Sequence, residues 1–173
     1  MNIELLKEKI NDSNIQIYKI NYSDIIFEDR VKLNCFYCSK YNTNWMCPPR
    51  IPQLDYCKII GEYSNVAIVS ISMDINNNFN DIRTETTVKL HKTLLMLEKE
   101  LWNNNYPTAV SFIGGSCKLC KNGCAEDKCK QPGLSRIPTE ATGINVIKSL
   151  KNIGIEIVFP PKDKLSRFGI LLW

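Results

Sequence analysis

Cysteine is the residue type with the most chemistry to offer in this chain, and its eight copies fall into two sets of four. The first is Cys35-x2-Cys38-x8-Cys47-x9-Cys57, and the second, tighter set is Cys117-x2-Cys120-x3-Cys124-x4-Cys129. Four thiolates fill a tetrahedral zinc site or hold one cubane iron–sulfur cluster. Two such sets imply two metal sites, or one composite site where they meet in the fold. A disulfide framework is the rival. The chain begins Met1-Asn2-Ile3-Glu4-Leu5-Leu6-Lys7, without the apolar run or small-residue cleavage site of a signal peptide. It also lacks the stretch of about 18 apolar residues that crosses a membrane. The expected setting is cytoplasmic, where thiols stay reduced and paired cysteines are rare.

Spacing separates zinc from a cluster. Structural zinc prefers two well-separated knuckles, each giving two ligands. The second set instead crowds its four cysteines into residues 117–129, so that a loop wraps one compact object. That spacing is close to a bacterial ferredoxin loop with its later gaps one residue wider, and Pro132 follows the last cysteine. Gly114, Gly115 and Gly123 would let backbone N–H groups approach the sulfurs. The reading for this loop is a 4Fe-4S cluster, with zinc as the alternative. Lys118, Lys121, Lys128 and Lys130 surround it, against Glu126 and Asp127. They would offset the roughly two negative charges of a cubane with four thiolates, or simply be solvated.

The first set is looser. Pro48, Pro49 and Pro52 make the segment after Cys47 a loop. Tyr41 and Trp45 either shield a cluster or are ordinary core aromatics. Cys57 is expected on a short helix, where a free thiol on an apolar face is common. The expectation is still that it swings back to close the site, because a thiol beside a thiolate centre tends to be recruited. If it does not, one metal position stays open, and the protein is an enzyme rather than a carrier.

The elements that must position these loops are legible in part. One domain over 1–173 is expected at 19.9 kDa and 44% hydrophobic residues. A net charge of +4, with lysines and acids interspersed, argues against a nucleic-acid or membrane partner. Residues 2–11 read as a short amphipathic helix, 15–20 as a half-buried strand, and 76–78 as a turn. Apolar runs predict strands at 66–72, 109–113, 155–159 and 168–172. A stripe of Leu90, Leu94, Leu97 and Leu101, with a second of Val88, Leu95 and Trp102, predicts a long helix over 82–103. Thr139 is placed to cap another helix, with Gly154 as its stop. The fold class is therefore α/β (or α+β): one mixed sheet with packed helices and two cysteine-rich metal-binding loops. The helical crossover implies parallel pairing of the strands at 66 and 109, and the last two strands would pair antiparallel. Arg136 is expected to pair with Glu140, the alternative being an anionic ligand beside the cluster. His91, alone mid-helix, is not expected to ligate a metal.

Taken together, the motifs resemble an uncharacterised family of predicted metal-binding proteins frequent in anaerobic bacteria and methanogenic archaea. The resemblance lies in Cys35-x2-Cys38-x2-Tyr41, then Trp45-x-Cys47-Pro48-Pro49-x2-Pro52 with Cys57 downstream. It continues in Gly115-x-Cys117-x2-Cys120-x3-Cys124-x4-Cys129-x2-Pro132, then Arg136 and Glu140-x2-Gly143-Ile144-x-Val146. Ile137 departs from the proline the family tends to carry. The resemblance implies metal binding and anaerobic, cytoplasmic life, and supplies no reaction. The residues and the resemblance lead to an iron–sulfur protein with up to two 4Fe-4S clusters, in electron transfer or a redox accessory role, working with a redox partner protein. The alternatives are a zinc-stabilised interaction module and an enzyme with an open iron at the first set.

Overall fold

The computed structural model describes residues 3–75 and 78–173. The turn expected at 76–78 lies largely outside the described residues, as does Asn2 of the first helix. Element order is α1 (Ile3–Glu8), β1 (Ile15–Ile20), α2 (Asp29–Phe36), α3 (Tyr56–Gly61), β2 (Val66–Asp74), α4 (Phe79–Asn103), β3 (Val110–Phe112), α5 (Val146–Asn152) and β4 (Lys164–Leu172). Two 3₁₀ turns, Tyr22–Asp24 and Thr139–Thr142, complete the set.

The strands form one sheet in the order β1-β2-β4-β3, and every neighbouring pair is antiparallel. The class is α+β, and the sheet is not mixed. The strands at 66 and 110 do run in the same direction, as a helical crossover requires, but they do not pair. The last strand, β4, sits between them. Ile170, Leu171 and Leu172 explain why: all three are fully buried on both faces, which only a central position provides.

Both faces of β2 are covered too. Ala67, Val69 and Ile71 face α4 with Leu90, Leu94, Leu97 and Leu101. Val66 and Ile68 face the opposite cluster with Ile60, Ala141, Ile144 and Leu150. Burying a leucine of the α4 stripe stabilises by about 1.5–3 kcal/mol. The second stripe is less covered, since Trp102 is 45% exposed. A polar face of α4, with Thr87, His91 and Glu98, is buried in its place.

Three further expectations are corrected. Residues 155–159 form no strand: β4 takes the ladder positions, and Val158 and Phe159 are exposed. The helix expected from Thr139 is two pieces, because Gly143 adopts a left-handed φ of 92° and ends the 3₁₀ turn. Asn145 then caps α5 by accepting from the Lys148 N–H, and Gly154 follows that helix as expected. Finally, α2 appears where no helix was foreseen. It buries none of its residues, so its sequence carries no apolar stripe to announce it.

Candidate metal centre

Both cysteine loops hang from one segment, 138–145. The second loop leaves the sheet at Ile113, whose N–H donates to Ile137 O at 3.0 Å and whose carbonyl accepts from Thr139 N–H at 2.7 Å. Residues 114–136 are thus pinched at the neck. Gly114 is needed there, because a Cβ would stand 2.4 Å from Phe168 O. On the other side of the same segment, Glu28 N–H donates to Gly143 O at 2.8 Å, and Asn145 N–H donates to Ile26 O at 2.7 Å. Those two bonds seat the start of α2 on the Thr139–Thr142 turn, and α2 carries Cys35 in its last turn.

All four cysteines of the second set line a single cavity of about 320 Å³, with Trp45, Met46, Lys40 and Lys118 in the same wall. Gln131 Nε2 lies 3.7 Å from Cys120 Sγ, and Cys129 Sγ lies 3.6 Å from Ser135 Oγ. Burial pushes the Cys117 thiol up. The Leu119 N–H opposes that, and Cys124, Cys129 and Cys120 push it further up. None of the eight cysteines is in a disulfide.

Cys38 follows α2 in a turn, with its N–H bonded to Cys35 O at 3.2 Å, and it is exposed. Lys40 N–H donates to its sulfur at 3.5 Å. Cys47 is buried, and burial pushes its thiol up to about 12, with Cys35, Cys38, Cys117 and Cys124 adding to the rise. One sulfur therefore feels both sets. Two side chains of the first loop clamp the second: Asn44 Nδ2 donates to Cys117 O at 3.0 Å, and Trp45 Nε1 donates to Ala125 O at 2.8 Å. Arg50 stacks on the Trp45 ring at 4.2 Å. Trp45 is thus a wall and a clamp, while Tyr41 packs edge-on against Phe36 beside the loop.

A family model described as "Predicted metal-binding protein (DUF2284)" matches residues 18–173. This chain belongs to that family. No curated protein and no solved structure matches it. Among the described residues, no helix is long and apolar enough to cross a membrane.

For this family member, the donor set suits a thiophilic metal centre. Four thiols border one cavity and three more come from the facing loop, most of them partly buried. Burial raises the Cys35, Cys47 and Cys117 thiols, and a bound metal would supply the positive charge that favours their ionised form. Among the described residues, no three His, Cys, Asp or Glu side chains are gathered closely enough to hold a single metal ion.

Cys57 stands elsewhere. It lies on α3 as expected, and its sulfur is 3.0 Å from Tyr22 Oη, whose hydroxyl also reaches Cys57 O at 3.2 Å. The local cause is α3 itself: Asp55 caps it through the Lys58 N–H, and Tyr56 Oη ties its start to Pro52 O at 2.8 Å. That fixes the helix with residue 57 facing the Tyr22 turn.

The charged residues near the second loop also depart from expectation. Arg136 pairs with Glu98, not Glu140; Nε donates to Oε1 at 2.8 Å, and NH2 meets Oε2. Glu98 is fully buried and also accepts from Ser111, so the pair locks the exit of the loop to α4. Glu140 instead accepts from Gly115 N–H at 3.2 Å, just ahead of Cys117. His91 lies 2.9 Å from Leu134 O through Nε2, and burial lowers its pKa. It belongs to the buried face of α4, and among the described residues its Nδ1 has no hydrogen-bond partner. Of the four flanking lysines, Lys118, Lys121 and Lys130 line the cavity.

Proposed function

We propose that this chain is an iron–sulfur protein whose two cysteine loops hold 4Fe-4S centres side by side. The single observation that carries the reading is the shared cavity. All four thiols of the second loop border it, Thr43, Asn44, Trp45 and Met46 of the first loop complete its wall, and the neighbouring Cys47 thiol is pushed up by burial first and then by the charges of both sets. Bound there, such a group supplies one-electron transfer. The protein's own residues do the rest. Trp45 and Met46 wall the site from water, Gln131 and the Lys40 N–H direct hydrogen bonds at sulfur, and the lysines of the rim offset negative charge. Electrons would pass to a redox partner protein near the exposed Cys38.

A second reading is favoured by one observation, the engagement of Cys57 with Tyr22. With that thiol held away, the first loop supplies Cys35, Cys38 and Cys47, and one metal position is open to a ligand. An enzyme, not a carrier, would follow.

The test is elemental. Protein purified without oxygen should be brown and contain iron and acid-labile sulfide, about four to eight of each per chain. A colourless protein with stoichiometric zinc and no sulfide would overturn both forms of the reading and leave the zinc-stabilised interaction module.

A further inference from the structure

Four cations gather at the edge of the cysteine cavity, and among the described residues none of them is in a salt bridge. Arg167 stands on β4 opposite Ile71, and its NH1 lies 3.9 Å from where a Cβ of Gly115 would be. Its Nε is buried and has no hydrogen-bond partner. Lys118 and Lys40 line the cavity itself, and Lys118 Nζ reaches only Ser116, at 3.2 Å from Oγ and 3.4 Å from the carbonyl. Arg83 is exposed on the first turns of α4, next to Thr84 of the cavity wall. Arg83 and Arg167 also stand near enough to repel: after burial, Arg167 is pushed down by Arg83. One carboxylate, Glu140, faces Arg167 and also accepts from Gly115 N–H, so it offsets one of the four positive charges.

Holding like charges together with a guanidinium nitrogen unpaired is unfavourable unless something negative completes the set. The surrounding protein shows which kind of object fits. Elsewhere in this molecule, a guanidinium meets a buried carboxylate in a two-pronged bond, at Arg136 and Glu98. The planar fork of an arginine matches the two oxygens of a carboxylate or phosphate, and lysines add point charge. The group also lies between the two cysteine sets: Lys40 of the first loop and Lys118 of the second line the same cavity, and Glu140 acts on both Arg167 and Cys35.

We infer that Arg167, Arg83, Lys118 and Lys40 form a binding site for the oxyanion group of a small substrate or effector, a carboxylate or a phosphate, at the rim of the metal centre. The site deepens the reading of an open metal position, because it would hold an anionic molecule by one end beside the first loop. Its cations stand independently of which metal the cysteines bind.

The experiment is isothermal titration of the anaerobically purified full chain with inorganic phosphate and, separately, with malonate, with iron, sulfide and zinc measured on the same samples. At least one probe should bind at a single site. Arg167→Gln should weaken it about tenfold and Arg83→Gln about threefold, with metal content unchanged. The stronger of the two probes identifies the oxyanion. Arg83 is exposed, so Arg83→Gln decides the matter if Arg167→Gln does not fold. Absence of binding by both probes in metal-replete protein overturns the inference and leaves the metal-centre reading standing. So does binding that neither substitution weakens, or substitutions that lower only the metal content, because the cations would then serve the centre alone. Binding in protein without iron or sulfide keeps the anion site and removes the iron–sulfur reading.

Discussion

The two cysteine loops solve the same problem in different ways. The second draws all four thiols from residues 117–129, is pinched at its neck by Ile113, and arranges them around one cavity. The first spreads its thiols over the last turn of α2, the turn after it, a proline loop and α3. Its connection to the rest depends on Asn44 and Trp45 gripping the second loop. A loop closed on itself can hold a centre alone, whereas one assembled from several elements holds it only as well as those elements are docked. The second loop is the self-sufficient half, and the first is the half where a position can stay open.

Breaking the second loop should have the largest effect. Cys124→Ser is expected to remove roughly half of the iron and to disturb the first loop too, because Trp45 of that loop donates to the carbonyl of the adjacent Ala125; iron and sulfide assays on the purified variant check this. Arg136→Met comes next. It strands Glu98 in the core and should cost about 3–5 kcal/mol in urea unfolding, with the second loop loosened first in hydrogen exchange. Asn44→Ala releases the grip on Cys117 O and leaves a buried carbonyl unpaired. About 1–3 kcal/mol and faster loss of the first centre in air are expected, read by bleaching of the brown colour.

A gentler probe is pH. Glu28 ties α2 to α5 through Arg30, Lys148 and Asn145, and these bonds hold its carboxyl down at about 2, against an ordinary 4.5. A depressed carboxyl contributes stability that is full above pH 4.5 and disappears as pH falls through about 2. Wild type should therefore exceed Glu28→Gln in urea midpoint at neutral pH, and the gap should close across that window. Cys57→Ser is expected to do least, with iron count and spectrum unchanged; a lost cluster would return Cys57 to the first set.

Strong local patterns were readable in advance, and long-range pairings were not. The leucine stripe of α4, the apolar run of β2 and the spacing of the second cysteine loop each express one element's own periodicity or length. The insertion of β4 between β2 and β3 is invisible locally, since it depends on which strand finds two neighbours to bury both faces. The partner of Arg136 was sought at Glu140, four residues away, but is Glu98, 38 residues away, brought near by the crossover. The break at Gly143 could have been read, because a glycine inside an apolar pattern is a recognised stop. Cys57 was assigned to the first set by proximity in sequence, yet the cap at Asp55 and the anchor of Tyr56 turn it toward Tyr22. Arg83 and Arg167 lie on separate elements, and no spacing in the sequence links them.

The most direct test of the central claim, that the two loops hold their centres side by side, is electron paramagnetic resonance of the fully reduced protein. Two neighbouring reduced clusters should give a spectrum broadened by spin–spin coupling, and Cys47→Ser should collapse it to a single uncoupled signal. Two sharp, independent signals in the wild type, or no signal at all from a zinc-loaded protein, would contradict the account.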